Sequence, residues 1–334
     1  RRLALGLPGD GDVDPVAAPC HAAPTAPPAD PRGRATLKVQ DGCPGGCAYC
    51  IVPHVRPAVW SLPPEEAARQ ARDLVAAGFR EVVLCGIHLG LYGADLEPQV
   101  HLADLAERLL AVEGLGRLRL SSIEPMEVDP WLLGVMASEP ERLCPHLHVP
   151  LQSGDDGVLA AMGRPYTAAE FLAKAAEIRA ALPLPAVTTD VLVGFPGESD
   201  AAFAGTLRVA REAGLARMHV FPFSRRAGTP AADMPGQVPR DVARARRAAA
   251  SALGDELARA YRAGFIGRTV RVAVERALPG GDAEGVSERY LRVRLRGPLP
   301  PGARHREIVT ARVLGLEDDG LDAEPVGPQV GAAG

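Results

Sequence analysis

Long apolar runs are absent from this chain of 334 residues, and lysine is nearly absent. With no run of about 18 apolar residues, we expect no membrane span. We also expect no signal peptide, and because the first residue is not Met, we expect a fragment or a processed product. Hydrophobic residues make up 47% and charged residues 23% of the chain, which is typical of a soluble globular protein.

Cysteine is also scarce, and half of the cysteines stand together. The six are Cys20, Cys43, Cys47, Cys50, Cys85 and Cys144. This clustering indicates a metal centre instead of a disulfide framework, and it predicts a reducing, cytoplasmic location. Residues 1–33, which contain Cys20, are rich in Pro, Ala, Gly and Asp without a helical or strand period. We interpret them as a linker or the remnant of a missing N-terminal domain.

From Arg34 onward, short β-branched runs alternate with amphipathic stretches. Strands are predicted at Thr36–Val39, Glu81–Cys85, Leu118–Ser121, Leu147–Pro150, Ala186–Val193 and Met218–Phe221. Helices are predicted at Pro64–Ala77 (with its start signal at Ser61), Leu102–Val112, Pro130–Ala137, Ala168–Ala181 and Asp200–Ala213. Alternation of this kind predicts an α/β fold with a parallel sheet, here a partial (β/α)6 barrel. Ligands of such sheets bind at the carboxyl ends of the strands.

The cysteine trio follows the first predicted strand with the spacing C-x3-C-x2-C, as Cys43, Cys47 and Cys50. A structural zinc site takes four protein ligands, for which His54 is the nearest further candidate. Unrelated core cysteines fit poorly in so glycine-rich a loop. A [4Fe–4S] cluster bound by three cysteines leaves one iron open for a small molecule, and this interpretation fits best.

Polar residues and glycines gather at the other strand ends as well. The candidates for a ligand site there are Gly86, Glu124, Gln152, Asp190 and Gly194. Glu124 could instead belong to a helix start, and Gln152 to a plain turn. Gly194 could simply shape its loop. An unpaired buried carboxylate costs several kcal/mol, which favours a functional role for Asp190.

Three further side chains are candidates with two interpretations each. Tyr49 could pack over a cofactor or serve as a structural aromatic residue. His88 and Arg225 could face the substrate or be ordinary residues of the rim.

The C-terminal third has a different pattern. Residues 239–263 predict one helix. Period-2 strands are predicted after it at Arg268–Glu275, Arg289–Leu295 and Glu307–Leu314, and they suggest a small β-barrel. The residues after Glu317 are expected to be frayed. The chain has a net charge of −4, yet residues 240–312 hold 16 Arg against 8 Asp or Glu. This excess fits phosphate contacts with RNA, or else a solvated charged face.

Several motifs together resemble one family. The cysteine loop resembles the radical S-adenosylmethionine (SAM) superfamily. The strings "SSIEP", "HLHVPLQSG", "TDVLVGFPGE" and "HVFPFSRRAGTPA" resemble its methylthiotransferases, and the C-terminal strands resemble their RNA-binding TRAM domain. "CGIHLGLYG" is most similar to the tRNA enzymes that act on N6-threonylcarbamoyladenosine. The resemblance implies a radical SAM core over residues 34–265, a TRAM-like domain over 266–328 and a frayed tail over 329–334.

The resemblance also implies the chemistry. Cys43, Cys47 and Cys50 would hold a [4Fe–4S] cluster whose open iron binds SAM, with Gly86, Glu124, Gln152, Asp190, Gly194 and Tyr49 around it. One electron cleaves SAM to methionine and a 5′-deoxyadenosyl radical, which removes hydrogen from C2 of the adenosine. A methylthio group is installed there, with its methyl from a second SAM. The implied partners are tRNA and a reductant such as flavodoxin or ferredoxin, and we expect a monomer.

The chain departs from the family pattern in two places. Three further cysteines for a second [4Fe–4S] cluster are expected in the family and absent here, so we expect one cluster and no methylthio transfer by this chain alone. After Cys50 the family usually has Arg-Gly and a second Arg, where this chain has Arg56-Pro57 and Leu62. The alternative functions are methylthiolation of isopentenyladenosine in tRNA or of a ribosomal protein, and non-enzymatic RNA binding with a structural metal.

Overall fold

The computed structural model describes residues 33–300 and 303–327. The linker predicted for residues 1–33, except Gly33, lies outside this range, as do Cys20 and the tail predicted for 329–334. Within the described residues, no helix combines the length and the apolar character needed to cross a membrane.

The first part of the chain forms an open barrel of six parallel strands with helices outside. The strands up to residue 222 are β1 (Arg34–Lys38), β2 (Gln40–Asp41), β3 (Trp60–Ser61), β4 (Glu81–Cys85), β5 (Arg117–Leu120), β6 (His146–His148), β7 (Ala186–Val193) and β8 (Arg217–Pro222). Parallel pairing gives the orders β1-β4-β5 and β6-β7-β8. Bridges Leu118–Leu143 and Ser122–His148 join the two sheets, so the predicted partial barrel is confirmed.

The helices lie mainly between these strands. They are α1 (Val52–Val55), α2 (Pro64–Ala76), α3 (Leu102–Leu110), α4 (Pro130–Ser138), α5 (Asp156–Ala161), α6 (Ala168–Ala181), α7 (Asp200–Ala213), α8 (Pro230–Asp233) and α9 (Arg240–Ala263). One predicted start was wrong. Ser61 does not begin α2, because it pairs with Gln40 in the short β2–β3 ribbon, and Pro63 occupies the cap position instead.

Side chains alternate between the two faces of the barrel strands. On β5, Leu118 and Leu120 are buried in the main hydrophobic core, against the helices. Arg117 and Arg119 point the other way, into the barrel, where both form ion pairs with the fully buried Glu81. The interior of the barrel is therefore polar, while its outer face supplies the core.

The C-terminal region is a closed barrel of five strands with a hydrophobic core of its own. The strands are β9 (Thr269–Ala277), β10 (Ala283–Ser287), β11 (Arg292–Leu295), β12 (Ile308–Glu317) and β13 (Gly320–Pro325). The sequence missed β10 and β13, and the expectation of fraying after Glu317 was wrong. Strand β13 closes the barrel between β11 and β12, and it buries Leu321 and Ala323.

This second barrel packs on the end of the first barrel at which the parallel strands begin. Arg117, which contacts it, is the first residue of β5, and its partner Glu81 is the first residue of β4. Arg117 and Arg119 donate hydrogen bonds to four backbone carbonyls of the second barrel, those of Arg271, Val286, Ser287 and Glu288. The ring of Tyr290 lies against His146, with centroids 5.0 Å apart, and under the guanidinium groups of Arg34 and Arg119. The carboxyl ends of the parallel strands lie at the opposite end.

Candidate functional site

The cysteine trio lies in the loop that leaves the short strand β2, at the carboxyl end of the open barrel. Cys43, Cys47 and Cys50 are all half-buried. Burial raises the pKa of the Cys43 thiol, and the nearby Cys47 and Cys50 raise it further. A nearby positive charge, such as that of bound iron, would favour the thiolate form of Cys43.

Arg164, which follows α5, supplies one such charge. Its Nη1 lies 3.3 Å from Sγ of Cys47, and its Nη2 forms an ion pair with the carboxylate of Glu124. Burial raises the pKa of Glu124, and Arg164 counteracts that shift. Glu124 does precede a short 3₁₀ helix, as the alternative interpretation proposed, but its carboxylate is directed to Arg164. Sequence reasoning missed Arg164, although its place just after a glycine at a helix end, in "GRPYT", was a usable signal.

His88 is a second neighbour of the trio. Its Nδ1 lies 3.3 Å from Sγ of Cys43, and its Nε2 lies 2.6 Å from a carboxylate oxygen of Glu127. Burial lowers the pKa of His88, but the hydrogen bond to Glu127 outweighs it and raises the pKa overall. The side chain of Gln40 fixes the loop by accepting from the backbone N–H of His88. His88 thus contacts the trio itself, and Glu127 had not been predicted.

The loop is held at its base by Gly42 and Asp41. Gly42 has φ +81°, and a Cβ there would overlap the carbonyl oxygen of Ala58. Arg56 donates two hydrogen bonds to the carboxylate of Asp41, at 2.9 and 2.8 Å. Lys38 lies 2.7 Å from the same carboxylate. Arg56, the arginine that this chain shares with the family pattern after Cys50, is therefore a structural anchor of the loop, whereas the departures are at Pro57 and Leu62.

Gln152 and Asp190 are adjacent on the barrel's inner side. Gln152 has a positive φ of 61°, unusual for a residue with a side chain, and its N–H donates to the carbonyl of Asp190. Asp190 lies within β7 and not at its end, and its carboxylate is one-third exposed and 3.4 Å from Nε2 of His148. The argument from an unpaired buried carboxylate was therefore wrong, since Asp190 has a partner and solvent access.

The remaining candidates, Gly86, Gly194 and Tyr49, each contact another residue of the chain. A Cβ on Gly86 would lie 2.7 Å from Oε1 of Gln40, so this glycine allows close packing. Gly194 has φ +74°, and its N–H donates to the carboxylate of Glu198. The ring of Tyr49 packs edge-on against Phe195, with centroids 6.5 Å apart.

Two residues lie outside this cluster of side chains. Arg225 is exposed in the loop after β8, and its guanidinium is 3.9 Å from Asp233. His54, the candidate fourth zinc ligand, is exposed on α1.

Across the described residues, no three His, Cys, Asp or Glu side chains converge on one point as the ligands of a single metal ion would. A cubane differs, because each cysteine binds a separate iron.

The fold and one family model agree on the class of protein. The model of the radical SAM superfamily matches residues 37–210. The structure of the radical SAM methyltransferase TsrM from Kitasatospora setae superposes with a TM-score of 0.51 at 16% identity, over 60% of this chain and 38% of that one. At this identity the likeness concerns the fold alone.

Curated relatives narrow the class. Threonylcarbamoyladenosine tRNA methylthiotransferase MtaB from Bacillus subtilis is 39% identical over 80% of this chain and 60% of its own. The corresponding protein of Chlamydia pneumoniae is 35% identical over 88% of this chain and 68% of its own. A tRNA-2-methylthio-N(6)-dimethylallyladenosine synthase from Desulfitobacterium hafniense is 37% identical over 72% of this chain and 54% of its own. The chain belongs to the radical SAM superfamily and, within it, to the methylthiotransferases, and it spans roughly half to two thirds of these relatives.

The family implies a [4Fe–4S] cluster and SAM, and the residues at the carboxyl end of the barrel suit both. Two thiols of the loop have a cationic or imidazole neighbour at 3.3 Å, Cys47 with the guanidinium of Arg164 and Cys43 with the ring of His88, and these groups would offset the charge of bound thiolates. The ion pair of Arg164 and Glu124 offers a cation for a carboxylate and an anion for an amine. These are the two charged groups of an amino acid such as the methionine part of SAM.

Proposed function

We propose that this chain takes part in methylthiolation at C2 of N6-threonylcarbamoyladenosine, next to the anticodon, in tRNA. The observation that carries the proposal is that relatives described as threonylcarbamoyladenosine tRNA methylthiotransferases match most of the chain, at 39%, 35% and 35% identity. The radical SAM core would comprise residues 34–265 and the RNA-binding TRAM-like domain residues 266–328. A cytoplasmic monomer that receives electrons from flavodoxin or ferredoxin completes the proposal.

Cys43, Cys47 and Cys50 would hold the cluster, which when bound supplies the electron for SAM cleavage. Arg164 would bind the carboxylate of SAM and Glu124 its amino group. Gln152 and Asp190 lie on the adjacent inner wall of the barrel, where they would hydrogen-bond the polar part of the nucleoside. The ion pair of Arg164 and Glu124 is three-quarters buried or more, so both charges act with little screening by water.

The chain itself would bind one cluster. Cys144 is buried beside Arg119 and Cys85 is the last residue of β4, and within the described residues no three His, Cys, Asp or Glu side chains converge around either of them. Sulfur transfer would then depend on cysteines outside this sequence, while SAM cleavage would not.

A second candidate substrate is N6-dimethylallyladenosine in tRNA, which the match to dimethylallyladenosine synthases supports. The two nucleosides differ at N6, where one carries a carboxylate and a hydroxyl and the other an apolar chain. A ribosomal protein or a non-enzymatic RNA-binding role has no comparable support among these relatives.

Mass spectrometry of tRNA nucleosides from a deletion strain tests the proposal. We expect the 2-methylthio form of threonylcarbamoyladenosine to disappear and to return with the full-length gene. The same gene with Cys43→Ala, Cys47→Ala and Cys50→Ala is the matched control and should not restore it. Loss of 2-methylthio-dimethylallyladenosine instead would favour the second candidate. Unchanged nucleosides would refute both.

A further inference from the structure

The arginine excess of the C-terminal third divides into paired and unpaired side chains. On the second barrel, most arginines are neutralised by a carboxylate or bound to a carbonyl. These pairs are Arg271–Glu141 (carbonyl), Arg276–Glu284, Arg289–Glu288, Arg292–Asp319, Arg294–Asp282, Arg296–Asp322 and Arg306–Ala77 (carbonyl). Arg268, Arg304 and Arg312 of that barrel are free of side-chain partners within the described residues. Over residues 266–300 and 303–327 the barrel holds ten arginines and ten Asp or Glu, so its surface is much less positive than the excess counted over residues 240–312 suggests.

Five arginines near the cysteine loop are different. We call Arg225, Arg226, Arg240, Arg244 and Arg247 the rim arginines, and all five are exposed. Apart from the 3.9 Å approach of Arg225 to Asp233, none has a side-chain partner in the part of the chain that the structure describes. Arg246, between them in sequence, is by contrast buried and bound to Glu198 and Asp200.

Three of the rim arginines share one face of α9. Residues 240, 244 and 247 are spaced i, i+4 and i+7, so their side chains lie in a row along the first two turns. Ala243 and Arg246 form the inner face, where Ala243 packs on Gly194. The row therefore points to solvent, away from the barrel wall.

The orientation of α9 places this row at the ligand end of the open barrel. The start of α9 packs on Gly194 and Glu198, which follow the carboxyl end of β7. Its end lies near the amino-terminal side, where the hydroxyl of Tyr261 donates to the carbonyl of Leu184. With 24 residues, α9 spans about 36 Å, so the row lies far from the second barrel.

The other two rim arginines are in the loop after β8, which reaches the cysteine loop directly. Ala231, just beyond this loop, donates its N–H to the carbonyl of Ala48, between Cys47 and Cys50. The acidic groups near the rim are Glu198 and Asp200, which both pair with Arg246, and the exposed Asp233 and Asp241. With Arg246 counted, six arginines face these four carboxylates, which leaves a net positive rim.

We propose that the rim arginines are the main phosphate-binding surface of this chain for tRNA, and that the second barrel contributes less. The inference rests on the proposed function, because it takes tRNA as the partner. Unpaired guanidinium groups can bind phosphates without first breaking an ion pair, whereas the paired arginines of the barrel cannot. Arg240, Arg244 and Arg247 would bind phosphates of the tRNA backbone on either side of the nucleotide that enters the site.

Two double variants with the same change of charge test the proposal. Arg244→Gln/Arg247→Gln removes two rim arginines, and Arg268→Gln/Arg312→Gln removes two arginines of the barrel that are equally exposed and equally free. Binding of the 334-residue chain to tRNA is measured by fluorescence anisotropy at several salt concentrations. We expect the rim variant to bind about tenfold more weakly at ~150 mM salt, with a slope of log K against log salt smaller by about 1.5 to 2. The barrel variant should remain within about twofold of the unaltered chain.

The opposite ranking, or equal losses for both variants, would overturn the proposal. Circular dichroism and thermal unfolding show whether each variant is folded. Because neither pair of side chains has a partner among the described residues, we expect no change. The nucleoside experiment separates this result from the proposed function. Unchanged nucleosides with rim-dependent binding would refute the substrate but keep the surface, whereas altered nucleosides with barrel-dependent binding would refute only the surface.

Discussion

The guanidinium group of Arg164 lies 3.3 Å from Sγ of Cys47 while it forms an ion pair with Glu124. One side chain thus connects the cysteine loop to the carboxylate at the end of β5. It is 5% exposed at its side chain, so it is fixed in this position by packing as well as by charge.

Replacement of Arg164 by Gln should weaken SAM binding without loss of iron. The variant loses a charge-assisted hydrogen bond of about 1.5–3 kcal/mol, which corresponds to roughly a tenfold to hundredfold weaker affinity. Equilibrium dialysis of labelled SAM against anaerobically reconstituted protein measures it. Arg164→Lys keeps the charge but not the forked geometry, and it should be intermediate. Unchanged affinity in Arg164→Gln would show that this residue does not bind SAM.

Iron content should be about four per chain, as one cubane requires. Alanine at Cys43, Cys47 or Cys50 should abolish the cluster signal in EPR and bring iron close to zero, because each thiol would bind a separate iron. Cys85→Ala is the control, since Cys85 lies within β4 and should leave iron content unchanged. About eight irons per chain would contradict the assignment of a single cluster.

Gly42→Ala should lower cluster loading more than Gly46→Ala, though each glycine directly precedes a cysteine of the trio. At Gly42 a Cβ meets the carbonyl of Ala58 and φ is +81°, whereas at Gly46 no atom lies within 4 Å of the added Cβ. We expect Gly42→Ala to cost more than about 1 kcal/mol, and Gly46→Ala to cost less. Iron content and thermal unfolding of the two proteins provide the comparison, and equal behaviour would mean that the loop can rearrange.

Glu81→Gln should destabilise the protein and remove part of its acid sensitivity. Burial alone would raise the pKa of Glu81, but Arg117 and Arg119 outweigh it and hold the pKa at about 2, against an ordinary value of 4.5. The unfolded chain therefore binds this proton more readily. The stabilisation is complete above the ordinary pKa and is lost as the pH falls toward the folded value.

Denaturant unfolding near neutral pH should show a loss of about 3–5 kcal/mol in Glu81→Gln, because two buried arginines lose their shared partner. When the free energy of unfolding is measured at several pH values between the folded and the ordinary pKa of Glu81, it should change less with pH in the variant than in the unaltered chain. Glu275→Gln removes a carboxylate of the second barrel that is not fully buried, and it serves as the control. A variant as stable as the parent would mean that Glu81 does not hold the two barrels together.

Tyr290→Ala should weaken the docking of the second barrel, whereas Tyr290→Phe should not. The ring lies 5.0 Å and 4.9 Å from the guanidinium carbons of Arg34 and Arg119, and cation–π contacts are worth about 0.5–2 kcal/mol each. Thermal unfolding should therefore show a lower midpoint for the alanine variant. Equal midpoints for the two variants would indicate that the ring contributes nothing beyond its hydroxyl group.

The sequence by itself determined the parallel barrel and the place of the trio within it. Strand periodicity gave β4 and β7 with their observed bounds, and glycine and capping signals gave α6 and α7 likewise. These signals are local, since they depend on residues a few positions apart. The spacing of Cys43, Cys47 and Cys50 is equally local, so it could be interpreted without a structure.

Only the tertiary structure decided which arginines have a carboxylate partner and which do not. Composition showed an arginine excess in residues 240–312, but whether an arginine is neutralised depends on a carboxylate distant in sequence, such as Asp319 for Arg292. The same holds for Arg164, which reaches Cys47 across 117 positions, and for β13, whose strand character comes from closing the barrel. Long-range pairing of this kind leaves no periodic trace in the chain, because each partner is chosen by the fold and not by its neighbours in sequence.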